Sequence, residues 1–221
     1  MTGVAIGAAM AGLRPIHVHI RMDFPTLCAN QLINMAAKSR YMFGGAVKVP
    51  MVVRSIIGKS WGQGPQHSQS LYSLFAHIPG LIIVAPSNAH DAKGCMISAI
   101  RNDNPVLFVE HRMLYYTRAF VQEAPFEQPL GRARVCAVGD DITIVGISNM
   151  VVECLRVREI LAHVGISSEV IDPISLAPLD IETILESARR TGRLLIVDNA
   201  WTSCGMSAEI AARVAESLYP S

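Results

Sequence analysis

The chain has 221 residues, 51% of them hydrophobic and only 17% charged, with a formal net charge of +1. That balance, with no local run of Lys or Arg, excludes an electrostatic nucleic-acid surface, and the apolar content excludes disorder. The length allows one large or two small domains with a sizeable core. The apolar excess predicts partner subunits, or parallel strands buried on both faces.

In chain order, residues 1–13 are apolar but lack a basic start and stop at Arg14-Pro15, too short for a spanning helix. No later stretch reads as a membrane span, so a soluble cytoplasmic protein is expected. Gly3, Gly7 and Gly12 among Ala8, Ala9 and Ala11 predict a helix that packs close to another backbone or to a ligand. Residues 16–20 alternate as a strand and put His17 and His19 on one face. A metal pair is the alternative reading there, with an incomplete ligand set. An amphipathic helix is predicted over 26–41, ended by Gly44-Gly45, and a buried strand over 49–56. A helix follows over 71–78, a strand over 81–85, a helix capped by Ser87 or Asn88, and a strand over 106–110, which is the βαβ pattern of a parallel sheet.

Residues 117–130 carry Pro125 and Pro129 and no periodicity, and read as an inter-domain linker. The alternation then restarts, with strands predicted over 141–146, 168–172 and 193–197 and helices over 150–164, 180–191 and 205–218. Cys28, Cys95, Cys136, Cys154 and Cys204 are odd in number and widely spaced, which suggests neither a disulfide framework nor a zinc site.

Between the second strand and its helix lies Gly62-Gln63-Gly64-Pro65-Gln66-His67-Ser68-Gln69-Ser70. Its glycines and proline forbid regular structure, and it delivers one histidine at the end of a strand–loop segment. Such a histidine is placed to meet a ligand; a hydrogen-bonded structural histidine is the other reading.

Several segments carry a resemblance in this order and spacing: residues 7–15, Gln66-His67-Ser68-Gln69-Ser70, Pro79-Gly80-Leu81, residues 91–94, Asn104-Pro105-Val106, residues 172–180 and Thr191-Gly192-Arg193-Leu194. Together they resemble the β-subunit of thiamine-diphosphate-dependent 2-oxo acid dehydrogenases of the pyruvate, acetoin and branched-chain type, within the wider transketolase-like group. The resemblance implies an α/β fold of two doubly wound domains. These are a pyrimidine-binding domain over 1–128 and a transketolase C-terminal-like domain over 129–221, each short at its outer end. It implies oxidative decarboxylation of a 2-oxo acid, with pyruvate expected, and acyl transfer to lipoamide.

The implied cofactor is thiamine diphosphate with Mg²⁺, its phosphates and metal held by a partner α-subunit, since the chain has no Gly-Asp-Gly motif with a downstream asparagine. Self-association of β-subunits and a lipoyl acyltransferase are the further partners implied. His67 matches the histidine facing the reacting carbon, and Phe24 the aromatic residue on the aminopyrimidine. Ala99, Ile100, Asn102 and Asn104 match a potassium loop in which relatives carry aspartate at the position of Asn102. The glutamate that activates the cofactor in relatives falls before Met1, and Val18 and Asn30 stand where relatives often carry acids. A catalytically impaired or truncated assembly subunit, or a transketolase-like C–C transferase subunit, are therefore the alternatives.

Overall fold

A computed structural model describes residues 1–59 and 61–218. The first half runs α1 (Thr2–Met10), β1 (Ile16–His19), α2 (Ala37–Met42), β2 (Val52–Ile57), α3 (Tyr72–Ala76), β3 (Ile82–Val84), α4 (Ala89–Arg101) and β4 (Val106–His111). The second runs β5 (Arg134–Ala137), β6 (Ile142–Gly146), α5 (Met150–His163), β7 (Ser168–Asp172), β8 (Ser175–Ala177), α6 (Ile181–Thr191), β9 (Leu194–Val197) and α7 (Met206–Leu218).

Two sheets result, ordered β1-β2-β4-β3-β8 and β5-β7-β6-β9. All pairs are parallel except β3–β8 and β5–β7. Central strands such as β4 and β7 are buried along most or all of their length, as parallel strands covered on both faces must be. Helix ends are set locally. Asn88 caps α4 by accepting the Asp91 N–H at 3.0 Å, and Gly192 closes α6 in the left-handed conformation at φ 67°.

Three features depart from the sequence expectations. The helix expected over 26–41 is present as one continuous helical run, but its turns are mixed: 3₁₀ over Phe24–Cys28, π over Gln31–Ala36, then α2. Pro25 sits in the first turn, where its missing N–H costs nothing, and Thr26 Oγ1 bonds back to the Asp23 carbonyl at 2.5 Å. The segment 117–130 is strapped to α4 rather than loose. Lys93 Nζ donates to the carbonyls of Gln122, Glu123 and Ala124 at 2.6, 2.7 and 3.2 Å, and Ser98 donates to that of Gln128 at 2.7 Å. Gly94 makes this contact possible, because a Cβ there would stand 2.7 Å from the Phe126 ring.

The short strands β5 and β8 were not expected. β8 matters most: it comes from the second half of the chain yet extends the first sheet, pairing Ala177 with Ile83 and Ser175 with Val84. One apolar cluster accordingly joins Ile6, Met22, Tyr72 and Phe75 to Val145, Ile171, Ile184 and Ile210. No helix among the described residues is long and apolar enough to cross a membrane.

Candidate active site

β1, β2 and β4 are parallel neighbours, with His19 opposite Ser55 and Ile57 opposite His111, so their carboxyl ends lie at one edge of the sheet. Ligands of open α/β sheets bind beyond that edge. The segments that leave it are 20–28, 58–70 and the 3₁₀ turn Arg112–Tyr116. They bring His67 and Phe24 together: the rings meet edge to face, 5.2 Å between centroids at 76°. Phe24 is 36% exposed, and the His67 ring makes no side-chain hydrogen bond among the described residues.

A polar framework fixes this pair. Gln69 Nε2 donates to Asp23 Oδ1 at 2.8 Å, tying the loop to the residue beside Phe24. Arg21 donates from Nη2 to the Gln63 side-chain oxygen. Arg21 and Asp23 are buried, and Arg21 Nη1 and Asp23 Oδ2 have no partner. Burial, then the neighbouring Arg112, pulls the Arg21 pKa below its ordinary value. Trp61 fills the space beside Gly58 and lies 5.4 Å under the Arg112 guanidinium.

Residues of the second half close one side. Asn199 Oδ1 accepts from Ser70 Oγ at 3.4 Å, and the Asn199 amide meets His111 Nε2 at 2.8 Å. His111 Nδ1 accepts the Met113 N–H at 3.2 Å. Burial, then the charge of Lys59, lowers the His111 pKa to about 4. Tyr72 donates to Asp198, and its own pKa is raised by burial first and then by that carboxylate. A cleft of about 260 Å³ lies here, with Lys59, Ser68 and Gln69 facing Asn199 and Trp201.

The four residues of the expected potassium loop lie elsewhere. Ala99 and Ile100 end α4, and Asn102 and Asn104 lead into the amino end of β4, across the sheet from the His67 edge. Arg14 Nη1 donates to the carbonyls of Ile100 and Asn102 at 2.8 and 2.9 Å. Asn102 Oδ1 accepts from the backbone and side-chain nitrogens of Asn104, and Arg40 donates to Asn104 Oδ1 at 2.8 Å. Each of these oxygens thus already has a donor. His17 and His19 contact each other edge to face at 4.5 Å, with Thr2 Oγ1 at 3.0 Å from His17 and Cys28 Sγ at 3.6 Å from His19. Among the described residues no group of three His, Cys, Asp or Glu side chains could hold a metal ion.

Arg21, Asp23, Gln63, His111, Arg112 and Asn199 were not singled out from the sequence. The first two had a usable signal: they are the first charged residues beyond a strand's carboxyl end. Asn199 had none, because its partners are 88 and 129 residues away.

Residues 1–118 match the family described as transketolase, pyrimidine binding domain, and residues 131–220 match transketolase, C-terminal domain. The chain is 44% identical over 217 residues to the acetoin:2,6-dichlorophenolindophenol oxidoreductase subunit beta of Cupriavidus necator, spanning 98% of this chain and 64% of that one. It is 42% identical over 217 residues to the pyruvate dehydrogenase E1 component subunit beta of Rickettsia bellii, spanning 98% and 67%. A solved structure titled "Split gene transketolase, inactive beta4 tetramer" superposes with a TM-score of 0.82 at 24% identity, covering 99% of this chain and 68% of that one. The chain spans slightly less than two thirds of the acetoin-type relatives it matches.

Proposed function

The chain belongs to the transketolase-like family of thiamine-diphosphate proteins, alongside the β-subunits of pyruvate and acetoin dehydrogenases, and on that premise we propose that it is the β-subunit of a cytoplasmic 2-oxo acid dehydrogenase. The two domains of this reading are residues 1–128 and 129–221. The observation that carries it is the His67–Phe24 pair at the carboxyl edge of β1, β2 and β4.

The pyrimidine end of the cofactor fits the residues present. Phe24 offers a part-exposed ring face, and Asp23 Oδ2 is a buried carboxylate oxygen without a partner beside it. The phosphate and metal end has no oxygen cluster among the described residues, so Mg²⁺ and the diphosphate are assigned to an α-subunit. Bound thiamine diphosphate supplies the electron sink for loss of carbon dioxide from a 2-oxo acid.

This chain's own part is to orient and to move protons. Phe24 packs on the ring of the cofactor. His67, carried on the loop tied down by Gln69, exchanges a proton with the substrate oxygen. In this reading the acceptor would be the lipoyl disulfide of an acyltransferase, which is reduced as it takes up the two-electron-oxidised acyl group, and β–β contact completes the assembly. Potassium at 99–104 would share the Ile100 and Asn102 carbonyls with Arg14, and a thermal melt in K⁺ against Na⁺ tests that assignment.

Calorimetric titration of thiamine diphosphate and Mg²⁺ tests the whole reading. Binding only when the chain is mixed with its α-partner is expected. No binding in a mixture whose chains demonstrably associate would leave a subunit that serves assembly alone.

A further inference from the structure

Arg21 and Arg112 stand beside the His67 loop with no ion pair to any carboxylate among the described residues. Arg21 is 3% exposed, and its Nη1 has no hydrogen-bond partner at all. Arg21 feels the repulsion of Arg112 and the attraction of Asp23, whose carboxylate makes no ion pair with it and is tied through Oδ1 to Gln69. A buried guanidinium with an idle donor therefore still gains when an anion joins it. Its one side-chain partner is the carboxamide of Gln63, an exposed residue between Gly62 and Gly64. Those glycines sit at φ 67° and 70° with no heavy atom within 4 Å of where a Cβ would stand, so no packing at these two positions opposes displacement of Gln63.

We propose that Arg21 and Arg112 form a subsite for a second anionic group on the substrate, which displaces the Gln63 carboxamide; the substrate is then a 2-oxo acid whose tail ends in a carboxylate or phosphate. This rests on the thiamine-dependent reading above. The reacting carboxylate is a poor occupant, because a guanidinium on it would stabilise the charge that decarboxylation has to move away. A distal anion is unchanged through the reaction, so pairing it with arginine holds the reacting carbon near His67 without that penalty. An uncharged tail such as the methyl group of pyruvate would leave Arg21 Nη1 unpaired.

The test has a binding arm and a kinetic arm. Glutarate and inorganic phosphate are titrated calorimetrically into the full chain and into its Arg21→Met, Arg112→Met and Gln63→Ala forms. Wild type should bind one of the two probes. Arg21→Met should weaken it by roughly 10- to 100-fold, Arg112→Met should weaken it less, and Gln63→Ala should tighten it several-fold. Binding of glutarate assigns a dicarboxylic 2-oxo acid, and binding of phosphate a phosphorylated one. Wild type that binds neither probe, or arginine variants that bind as well as wild type, overturns the subsite. So does an Arg21→Met form that loses affinity for the α-subunit while its anion titration is unchanged, because the arginine then pairs with the partner.

In the kinetic arm the assembled complex is assayed with pyruvate and with a 2-oxo dicarboxylate. A higher kcat/KM for the dicarboxylate, shifted toward pyruvate by Arg21→Met, supports the proposal. A complex that turns over pyruvate alone overturns it. A complex that decarboxylates nothing while the anion still binds through Arg21 keeps the subsite and sinks the thiamine-dependent reading instead.

Discussion

Two clusters of buried charge in this molecule are built in opposite ways. Where the halves of the chain meet, Asp172 and Asp91 are both fully buried, and every oxygen of the pair has a donor. Asp172 accepts from Ser87 Oγ at 2.5 Å and from the Ile174 N–H at 2.9 Å. Asp91 accepts from Asn88 Nδ2 at 2.7 Å and takes a two-pronged Arg134 at 2.8 and 2.5 Å. At the His67 edge, by contrast, Arg21 Nη1, Asp23 Oδ2 and Asp198 Oδ2 are buried and unpaired. Satisfied buried charge fixes an arrangement; unsatisfied buried charge is tolerated where a ligand or a partner completes it. The first cluster is complete within the chain, and the second is not.

The largest effect that would sharpen this contrast belongs to the edge. On the proposed function, His67→Ala should lower turnover of the assembled complex by about 10²- to 10⁴-fold with little change in the urea midpoint. The ring makes no hydrogen bond in the fold and loses only its edge-to-face contact with Phe24, worth about 1 kcal/mol. Loss of folding instead would mark His67 as structural and erase the distinction. Next comes the seam. Arg134→Met leaves two buried carboxylates facing each other and should cost about 3 kcal/mol in urea unfolding. The lower end of the usual range applies, since the guanidinium is 37% exposed. A variant as stable as wild type would show that the seam does not hold the halves together.

Acid titration separates the two clusters further. Burial, against the hydrogen bonds of Ser87 and Ile174, raises the Asp172 pKa to about 6. The native state therefore takes up a proton before the unfolded state does. Its contribution to stability rises as the pH falls from 6 toward 3.8. His111, lowered to about 4, works the other way. The unfolded state is protonated first, so stability is lost as the pH falls from 6.5 toward 4. Each term amounts to roughly 3 kcal/mol at most, and in wild type they oppose each other. His111→Gln should uncover the acid-side gain and Asp172→Asn the acid-side loss, read from urea midpoints at pH 7 and pH 5. Flat profiles in both variants would mean that neither group is perturbed as described.

The smallest effect concerns the loop itself. Gly62→Ala meets no atom within 4 Å but must hold φ 67°, so about 1 kcal/mol is expected. Gly80→Ala would place a methyl group 2.1 Å from the Ala37 carbonyl oxygen and should cost more. Equal thermal shifts for the two would refute the claim that packing closes the second position and not the first.

Much of the fold was legible because it is local. The strands β2, β4, β6, β7 and β9 and the helices α4, α5 and α6 announce themselves by apolar runs, caps and glycine stops. The His67 loop stands out for the same reason, since its glycines and proline admit no regular element. The mixed turns of the helical run at 24–42 were less legible, because a helical apolar period does not distinguish α, 3₁₀ and π turns. The strap at 122–128 was hidden too: it is held by the Lys93 amine reaching three carbonyls, by the Ser98 hydroxyl and by the Arg101–Glu127 pair, and nothing in composition signals that.

The sequence by itself determined the class of fold, the motifs of the family and the two residues, His67 and Phe24, whose rings meet at the edge of the sheet. Only the tertiary structure decided that β8 joins the first sheet, that Asn199 reaches His111, and that Arg21 and Arg112 both meet the His67 loop without an ion pair. The physical reason is range. Periodicity, capping and turn chemistry act over a few residues, so they are written along the chain. The pairing of a buried charge depends on which distant segments the packing brings beside it.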